Sequence, residues 1–329
     1  MNDLKSFMST VVQRLEKEGR YGTAHVYQST LNAISRYWQS KQKGPMSLDR
    51  VFTTIILQDF ERYMLGRMLS MNTVSTYLRM LRAVYNHAAR ANRIKWRHGL
   101  FDTLYTGVQA NTKRALTPDH MGRMLITQQA LPSLEEAQSW FALLFMLRGM
   151  PFIDLARLRK CDLHGNTLTY KRQKTGKIIT VNVTSEAMRL VNQLADRNPD
   201  SPYLLSILPE NYKKQGDSIF GSKEEHRRYQ AVLRGFNRRL KDIALKLNLG
   251  EKISSYTARH TWATTAYQKK CAIGIICNAL GHSSIKVTET YLKAFEQKEI
   301  DLTNMKIISY VKREANKGVK SKQAIYKSL

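Results

Sequence analysis

Tyr256-Thr257-Ala258-Arg259-His260, then Leu280-Gly281-His282, then Tyr291 form the stretch whose reading decides the fold. Arg259 and His282 stand 23 residues apart, and Tyr291 follows His282 by nine. A guanidinium, an imidazole and a phenol supply a forked donor, a hydrogen-bonding ring and a nucleophilic oxygen. Upstream, Lys174-Thr175-Gly176-Lys177 separates two β-rich runs, Leu168 to Arg172 and Ile178 to Val183. That pattern predicts a hairpin with glycine in its turn and Lys174 at its tip. Taken singly, one tyrosine among 16 is packing or surface, and one hairpin lysine is a solvated charge. The spacing of the set is what gives them chemical meaning.

Outward from this stretch the chain reads as mostly helical. Leu4, Met8, Val11, Val12 and Leu15 have helical spacing, and Ala24, Tyr27, Leu31, Ile34 and Trp38 resume it after Gly19 to Gly22. Gly44-Pro45 closes this second helix. A third helix begins near Leu57, and a fourth, capped by Asn72 or Thr73, carries Val74, Tyr77, Leu81 and Tyr85. Periodicity fades from Leu100 to Arg114, which places a linker at 105–114 between a helical module, 1–104, and a second domain, 115–329. Thr117 caps a helix with Pro118 at its first position. Ser133 with Glu136 reads as a capping box before a helix that ends at Gly149 and Pro151, and a Lys-rich tail follows Asn316.

Composition narrows the function classes. The chain has 329 residues, fitting two domains, and carries 53 Lys+Arg against 26 Asp+Glu, a net charge of +27. Such an excess self-repels unless a polyanion neutralises it, so nucleic acid is the first candidate partner. Three cysteines without a CxxC pair argue against a disulfide framework or a thiolate metal site and fit a reducing cytoplasm. No apolar run reaches the ~18 residues of a membrane span, and Met1 to Arg20 mixes acids with bases. Basic residues recur on helices: Arg79, Arg82, Arg90 and Arg93 on the fourth, and Arg227, Arg228, Arg234, Arg238, Arg239 and Lys241 on a later one. Such arrays can follow a phosphate backbone, although any one of them read alone is a solvated helix face.

At Lys174, Tyr256 to His260, Leu280 to His282 and Tyr291 the chain resembles the tyrosine site-specific recombinases, the phage integrase and Xer-like superfamily. The resemblance is most specific over Ile253 to Leu292 and weaker over Met1 to Gly107. It implies a two-domain, mainly α protein with a small β-hairpin or sheet: a SAM-like helical core-binding domain and a mixed α/β catalytic domain. It also implies double-stranded DNA as the partner, cleaved without metal, cofactor or external energy. Tyr291 matches the nucleophile that forms a 3′-phosphotyrosyl link while the 5′-hydroxyl leaves. Arg259 matches the second family arginine, His282 the group that hydrogen-bonds the same phosphate, and Lys174 the proton donor to the leaving oxygen. A tetramer on two DNA sites, monomeric when free, and a nucleoid-associated location follow from the same resemblance. With about a hundred residues before the linker, a simple Xer-like or invertase-like arrangement is implied. The segment from Lys293 resembles a tail that docks on a neighbouring subunit.

Two positions depart from the family pattern. Tyr256 occupies the usual histidine position, replacing an acid/base group by a phenol that still hydrogen-bonds. In Arg148-Gly149-Met150-Pro151-Phe152-Ile153-Asp154, Pro151 stands in the slot of the first family arginine, while Asp154 keeps the acidic position. Arg148, Arg157 and Arg159 are candidates to compensate, and Arg148 is favoured because it lies where the chain turns at a helix end. These strings look like integrases of Bacteroidetes mobile elements. Two other functions fit less well: a DNA-binding protein that has lost cleavage, and a type IB topoisomerase acting on one duplex.

Overall fold

In the computed structural model, residues 2–41, 44–108, 115–208, 222–290, 301–302 and 304–309 are described. The first module holds α1 (Leu4–Lys17), α2 (Tyr21–Ser40), α3 (Leu48–Val51), α4 (Thr54–Gly66) and α5 (Met71–Arg90). Its apolar faces meet around fully buried Leu4, Ile34, Tyr37, Phe52, Phe60, Leu78 and Leu81. Each large side chain buried this way stabilises the module by about 1.5–3 kcal/mol.

The expected helices are present, with corrections at their ends and one addition. α3 is a single turn that sequence periodicity is too short to reveal. α4 starts three residues before Leu57 because Thr53 Oγ1 accepts from the Ile56 amide at 3.4 Å. α5 is capped by Ser70, whose Oγ accepts from the Thr73 amide at 3.3 Å, rather than by Asn72 or Thr73. It ends at Arg90, so Arg93 lies beyond it, past Asn92 at φ 52°. α2 ends at Ser40, before Gly44-Pro45.

The second core belongs to α6 (Pro118–Ile126), α7 (Pro132–Met146), α8 (Phe152–Ala156), β1 (Leu163–His164), β2 (Thr167–Lys171), β3 (Ile178–Asn182), α9 (Ser185–Gln193), α10 (Lys223–Lys246), α11 (Ser255–Gln268), α12 (Ile273–Leu280) and α13 (Ile285–Glu289). α7 is buried over most of its circumference, from Leu134 to Leu144, as a helix surrounded by others must be. Thr117 and Pro118 start α6 as their types predict. The capping box expected at Ser133 and Glu136 is absent. Pro132 takes the first helical position behind Leu131, and Glu136 instead pairs with Arg239 at 3.0 Å.

The three strands form one antiparallel sheet in the order β1-β2-β3, with Leu168 opposite Val181 and Tyr170 opposite Ile179. The described molecule is thus mainly helical with one small sheet. Leu168 and Tyr170 point inward and Thr169 and Lys171 outward, the two-residue alternation of a half-buried strand. At the hairpin tip Gly176 adopts φ 69°, and its amide donates to Arg172 O at 2.8 Å. α7 ends at Met146, and both Arg148 (φ 62°) and Gly149 (φ 67°) then take left-handed conformations. No helix among the described residues is long and apolar enough to cross a membrane.

Candidate active site and nucleic-acid interface

The site begins at the amino end of α11. The Ser254 amide donates to Thr257 Oγ1 at 3.0 Å and the Ser255 amide to Asn237 Oδ1 at 2.8 Å, which fixes the first turn against α10. Arg259, one turn further, is 1% exposed. Its Nη1 donates to Gly149 O at 2.6 Å, and its Nη2 to Leu280 O at 2.6 Å and His282 Nε2 at 2.9 Å. Two glycines permit this convergence. A Cβ at Gly149 would lie 3.0 Å from Arg259 Cα, and one at Gly281 would lie 2.5 Å from Ile179 Cδ1 and 2.9 Å from Arg172 Cδ.

Leu280-Gly281-His282 therefore has a structural reason for its order. Gly281 ends α12 in the left-handed conformation at φ 63°, leaving the last carbonyls of that helix without amide partners inside it. The partial negative charge of a helix carboxyl end attracts cations, and two guanidiniums meet it here. Arg172, 5% exposed, donates from Nη1 to Leu280 O at 2.8 Å and to Gly281 O at 2.9 Å. Its Nε faces Asp154 Oδ2 at 3.4 Å, and Asp154 Oδ1 accepts from the Gln173 amide at 2.9 Å.

His282 is 6% exposed. A guanidinium can only donate, so Nε2 accepts from Arg259, and the ring proton sits on Nδ1, donating to the fully buried Thr288 Oγ1 at 2.9 Å. Burial, reinforced by the charges of Arg259, Arg172, Lys174 and Lys177, pushes the imidazole down to about 3. Burial raises the Asp154 carboxyl above its ordinary value, while the Gln173 amide and the charges of Arg172 and Arg259 oppose that rise. The Tyr170 phenol is raised as well, chiefly by burial and then by the charge of Asp154.

Of the residues expected from sequence, Arg259 and His282 touch. Lys174 is exposed at the hairpin tip, with its charge acting on His282. Tyr256 lies in the first turn of α11, 37% exposed and edge-on to His260 at 5.3 Å. Arg148 donates to Thr180 O at 3.3 Å, towards the sheet rather than towards Arg259. Arg157 is committed to Glu225 at 2.7 Å and to Gln173 Oε1 at 2.8 Å. Tyr291 and most of the tail after it lie outside the described residues. Sequence reasoning missed Arg172 and Thr288. Arg172 had a signal, since it extends the inward positions Leu168 and Tyr170, where an arginine is rare unless paired.

The basic helices separate into faces. Arg79, Arg82 and Arg90 are exposed on α5 and project within about 80° of one another at 100° per residue. On α10, exposed Arg227, Arg234, Arg238 and Lys241 share one stripe by the same geometry. Arg227 and Arg234 open on a cleft shared with Glu16, Tyr21, His25 and Gln28. Arg228 and Arg239 project to the side. Arg228 pairs with Glu224 at 3.2 Å, and Arg239 pairs with Glu136 at 3.0 Å and lies 5.5 Å from the Trp140 ring centre.

The chain thus combines two helical modules, a buried arginine-histidine pair at a helix end, a hairpin lysine whose charge bears on that pair, and basic helix faces. Residues 114–298 match the phage integrase family and residues 3–98 the phage integrase SAM-like domain, so the chain belongs to the phage integrase family. It is similar to a tyrosine recombinase of Pseudothermotoga lettingae, with 31% identity over 65 residues; the match covers 20% of this chain and 23% of that relative's length. Its fold resembles the Tn1549 transposon integrase in complex with a circular intermediate DNA (TM-score 0.63, 15% identity, 93% of this chain and 100% of that one). It also resembles lambda integrase in a tetramer bound to a Holliday junction (TM-score 0.60, 16% identity, 89% of this chain and 78% of that one). A third likeness is to XerH recombinase bound to a difH substrate (TM-score 0.59, 17% identity, 91% of this chain and 84% of that one).

Proposed function

We propose that this protein is a site-specific DNA recombinase that cuts and rejoins strands through a 3′-phosphotyrosyl intermediate. The observation that carries this reading is the contact of Arg259 with His282 at the end of α12, with the Lys174 charge bearing on the same imidazole. Tyr291 Oη attacks the scissile phosphorus, forming the O–P bond as its proton passes to water. The P–O5′ bond breaks, and Lys174 protonates the departing 5′-oxygen. Arg259 neutralises charge that builds on the non-bridging oxygens, worth most in a site that excludes water. His282 holds the Arg259 fork in the DNA-free state and Tyr256 lines the approach from the first turn of α11. The reverse step with a strand from a second duplex exchanges strands without cofactor or metal.

The exposed rows on α5 and α10 fit phosphate contacts: Arg79, Arg82 and Arg90 on one, Arg227 and Arg238 on the other, within a clamp that closes around the duplex. Assembly as a tetramer on two sites, a cytoplasmic, nucleoid-associated location and the Bacteroidetes mobile-element type belong to the same reading. So do the division into 1–104, a linker at 105–114 and 115–329.

The test uses a duplex selected for binding by the full chain from a random-sequence pool, nicked along the footprint so that the released strand diffuses away. Wild type forms a covalent adduct that survives denaturation, and Tyr291→Phe binds with unchanged affinity and forms none. Binding without any wild-type adduct supports the cleavage-deficient binding protein instead. Supercoil relaxation by monomer without junction formation supports the topoisomerase.

A further inference from the structure

We propose that Arg172 supplies the second guanidinium that grips the scissile phosphate, taking the role left empty by Pro151. This deepens the recombinase reading and rests on it. Three candidates flank the Pro151 motif in sequence, and two of them are engaged elsewhere, Arg148 with Thr180 O and Arg157 with Gln173 and Glu225. Arg172 shares a partner with Arg259: its Nη1 and the Nη2 of Arg259 both donate to Leu280 O, at 2.8 and 2.6 Å. The two forks are therefore within reach of one small anion.

The rest of the Arg172 fork is arranged for such a ligand. Nε faces the Asp154 carboxylate and Nη1 the two carbonyls, while Nη2 has no hydrogen-bond partner among the described residues. The fork is 5% exposed, yet its buried Nε makes no hydrogen bond even to the Asp154 carboxylate it faces, which is unusual because buried donors are normally satisfied. The charges of Arg172, Arg259, Lys174 and Lys177 all act on His282, and Asp154 pairs with Arg172. The surplus positive charge matches a phosphodiester, whose non-bridging oxygens take on further charge during attack. In the DNA-free protein the carboxyl end of α12 stands where that charge is wanted.

Asp154 is then a positioning residue. Its Oδ1 holds the Gln173 amide at 2.9 Å and its Oδ2 faces the Arg172 stem end, so the turn of the hairpin and the fork direction are set by one carboxylate. The arginine of the motif has changed its place in the chain while its acidic partner has not.

The experiment measures adduct formation on the selected, nicked duplex at saturating protein for wild type, Arg172→Ala, Arg172→Lys and Arg148→Ala. Arg172→Ala and Arg172→Lys are expected to bind within a few-fold of wild type and to lose about 10²–10³-fold in adduct rate, as removal of one transition-state donor does. Arg148→Ala is expected to cleave within a few-fold of wild type. A methylphosphonate at the mapped scissile position removes the non-bridging charge that Arg172 is there to neutralise. On that substrate the rates of wild type and Arg172→Lys are expected to converge. The Lys variant keeps a cation beside Asp154 and serves where the Ala variant does not fold. Wild-type rates in both variants overturn the role of Arg172 and leave the recombinase intact. A loss of equal size on both substrates overturns it in favour of a structural arginine. Failure of wild type to form any adduct overturns the recombinase reading itself.

Discussion

Acidification tests the electrostatics of the site most directly. His282 falls from an ordinary value near 6.5 to about 3 in the folded chain, because burial and four cations disfavour its charged form. The folded value lies below the unfolded one. Above pH 6.5 the ring is neutral in both states and contributes no pH dependence. Between 6.5 and about 3 the unfolded chain binds a proton that the folded chain refuses, so stability falls as pH falls. At about 1.4 kcal/mol per pH unit per proton, moving from pH 7.5 to 5.0 costs about 2 kcal/mol from this group alone. Urea unfolding followed by circular dichroism at both pH values measures the total loss. The loss in wild type minus that in His282→Asn isolates the imidazole, since Asp154, His226 and the other titrating groups are common to both. The wild type is expected to lose about 2 kcal/mol more than the variant over this interval. An imidazole proton resonance of His282 that titrates with a midpoint near 6.5, or equal losses in the two proteins, refutes the cationic crowding argued for this site.

Two further outcomes follow from the same geometry. Gly281→Ala forces a Cβ to within 2.5 Å of Ile179 and 2.9 Å of Arg172 at φ 63°, and is expected to destabilise the chain by about 2–4 kcal/mol in urea unfolding, from left-handed strain plus overpacking. The basic helix faces separate by salt dependence: Arg82→Ala is expected to lower the slope of log affinity against log salt by about 1 and weaken all sequences alike, measured by fluorescence anisotropy on labelled duplexes. Arg239→Ala, whose fork is held by Glu136 and lies over Trp140, is expected to leave that slope unchanged and to lower stability instead.

Much of this architecture was legible in the residues because the deciding signals are local. Lys174-Thr175-Gly176-Lys177 announces a turn, and Gly176 takes positive φ at the hairpin tip. Leu168 and Tyr170 alternate with polar neighbours, and β2 forms there. Thr117 with Pro118 marks a helix start that is observed. Failures arose where two local signals competed or where the partner is distant. Ser133 with Glu136 satisfies a capping rule, but Pro132 satisfies a stronger one a residue earlier, and Glu136 is taken by Arg239 from a helix a hundred residues on. Thr288 is six residues from His282, a spacing with no helical or strand meaning, so nothing local marks it as the group that fixes the ring tautomer. Arg228 and Arg239 looked like their basic neighbours on α10, since a run of charges does not show which members leave the exposed stripe until angular position is counted.

Pro151 then ceases to be an anomaly. An N-cap position makes little use of its own amide, and proline's fixed φ, here −66°, suits the entry to α8. The turn it starts places Asp154 three residues on, where the carboxylate takes the Gln173 amide and the Arg172 guanidinium from the hairpin. If an arginine at position 151 reached this group, it would add a third guanidinium to Arg172 and Arg259 without a further carboxylate from its own substitution. Uncompensated buried charge is costly, so a site of this size holds two forks more readily than three. On this reasoning Pro151→Arg in the wild-type chain is a burden rather than a repair, and restores cleavage only where Arg172 has been removed.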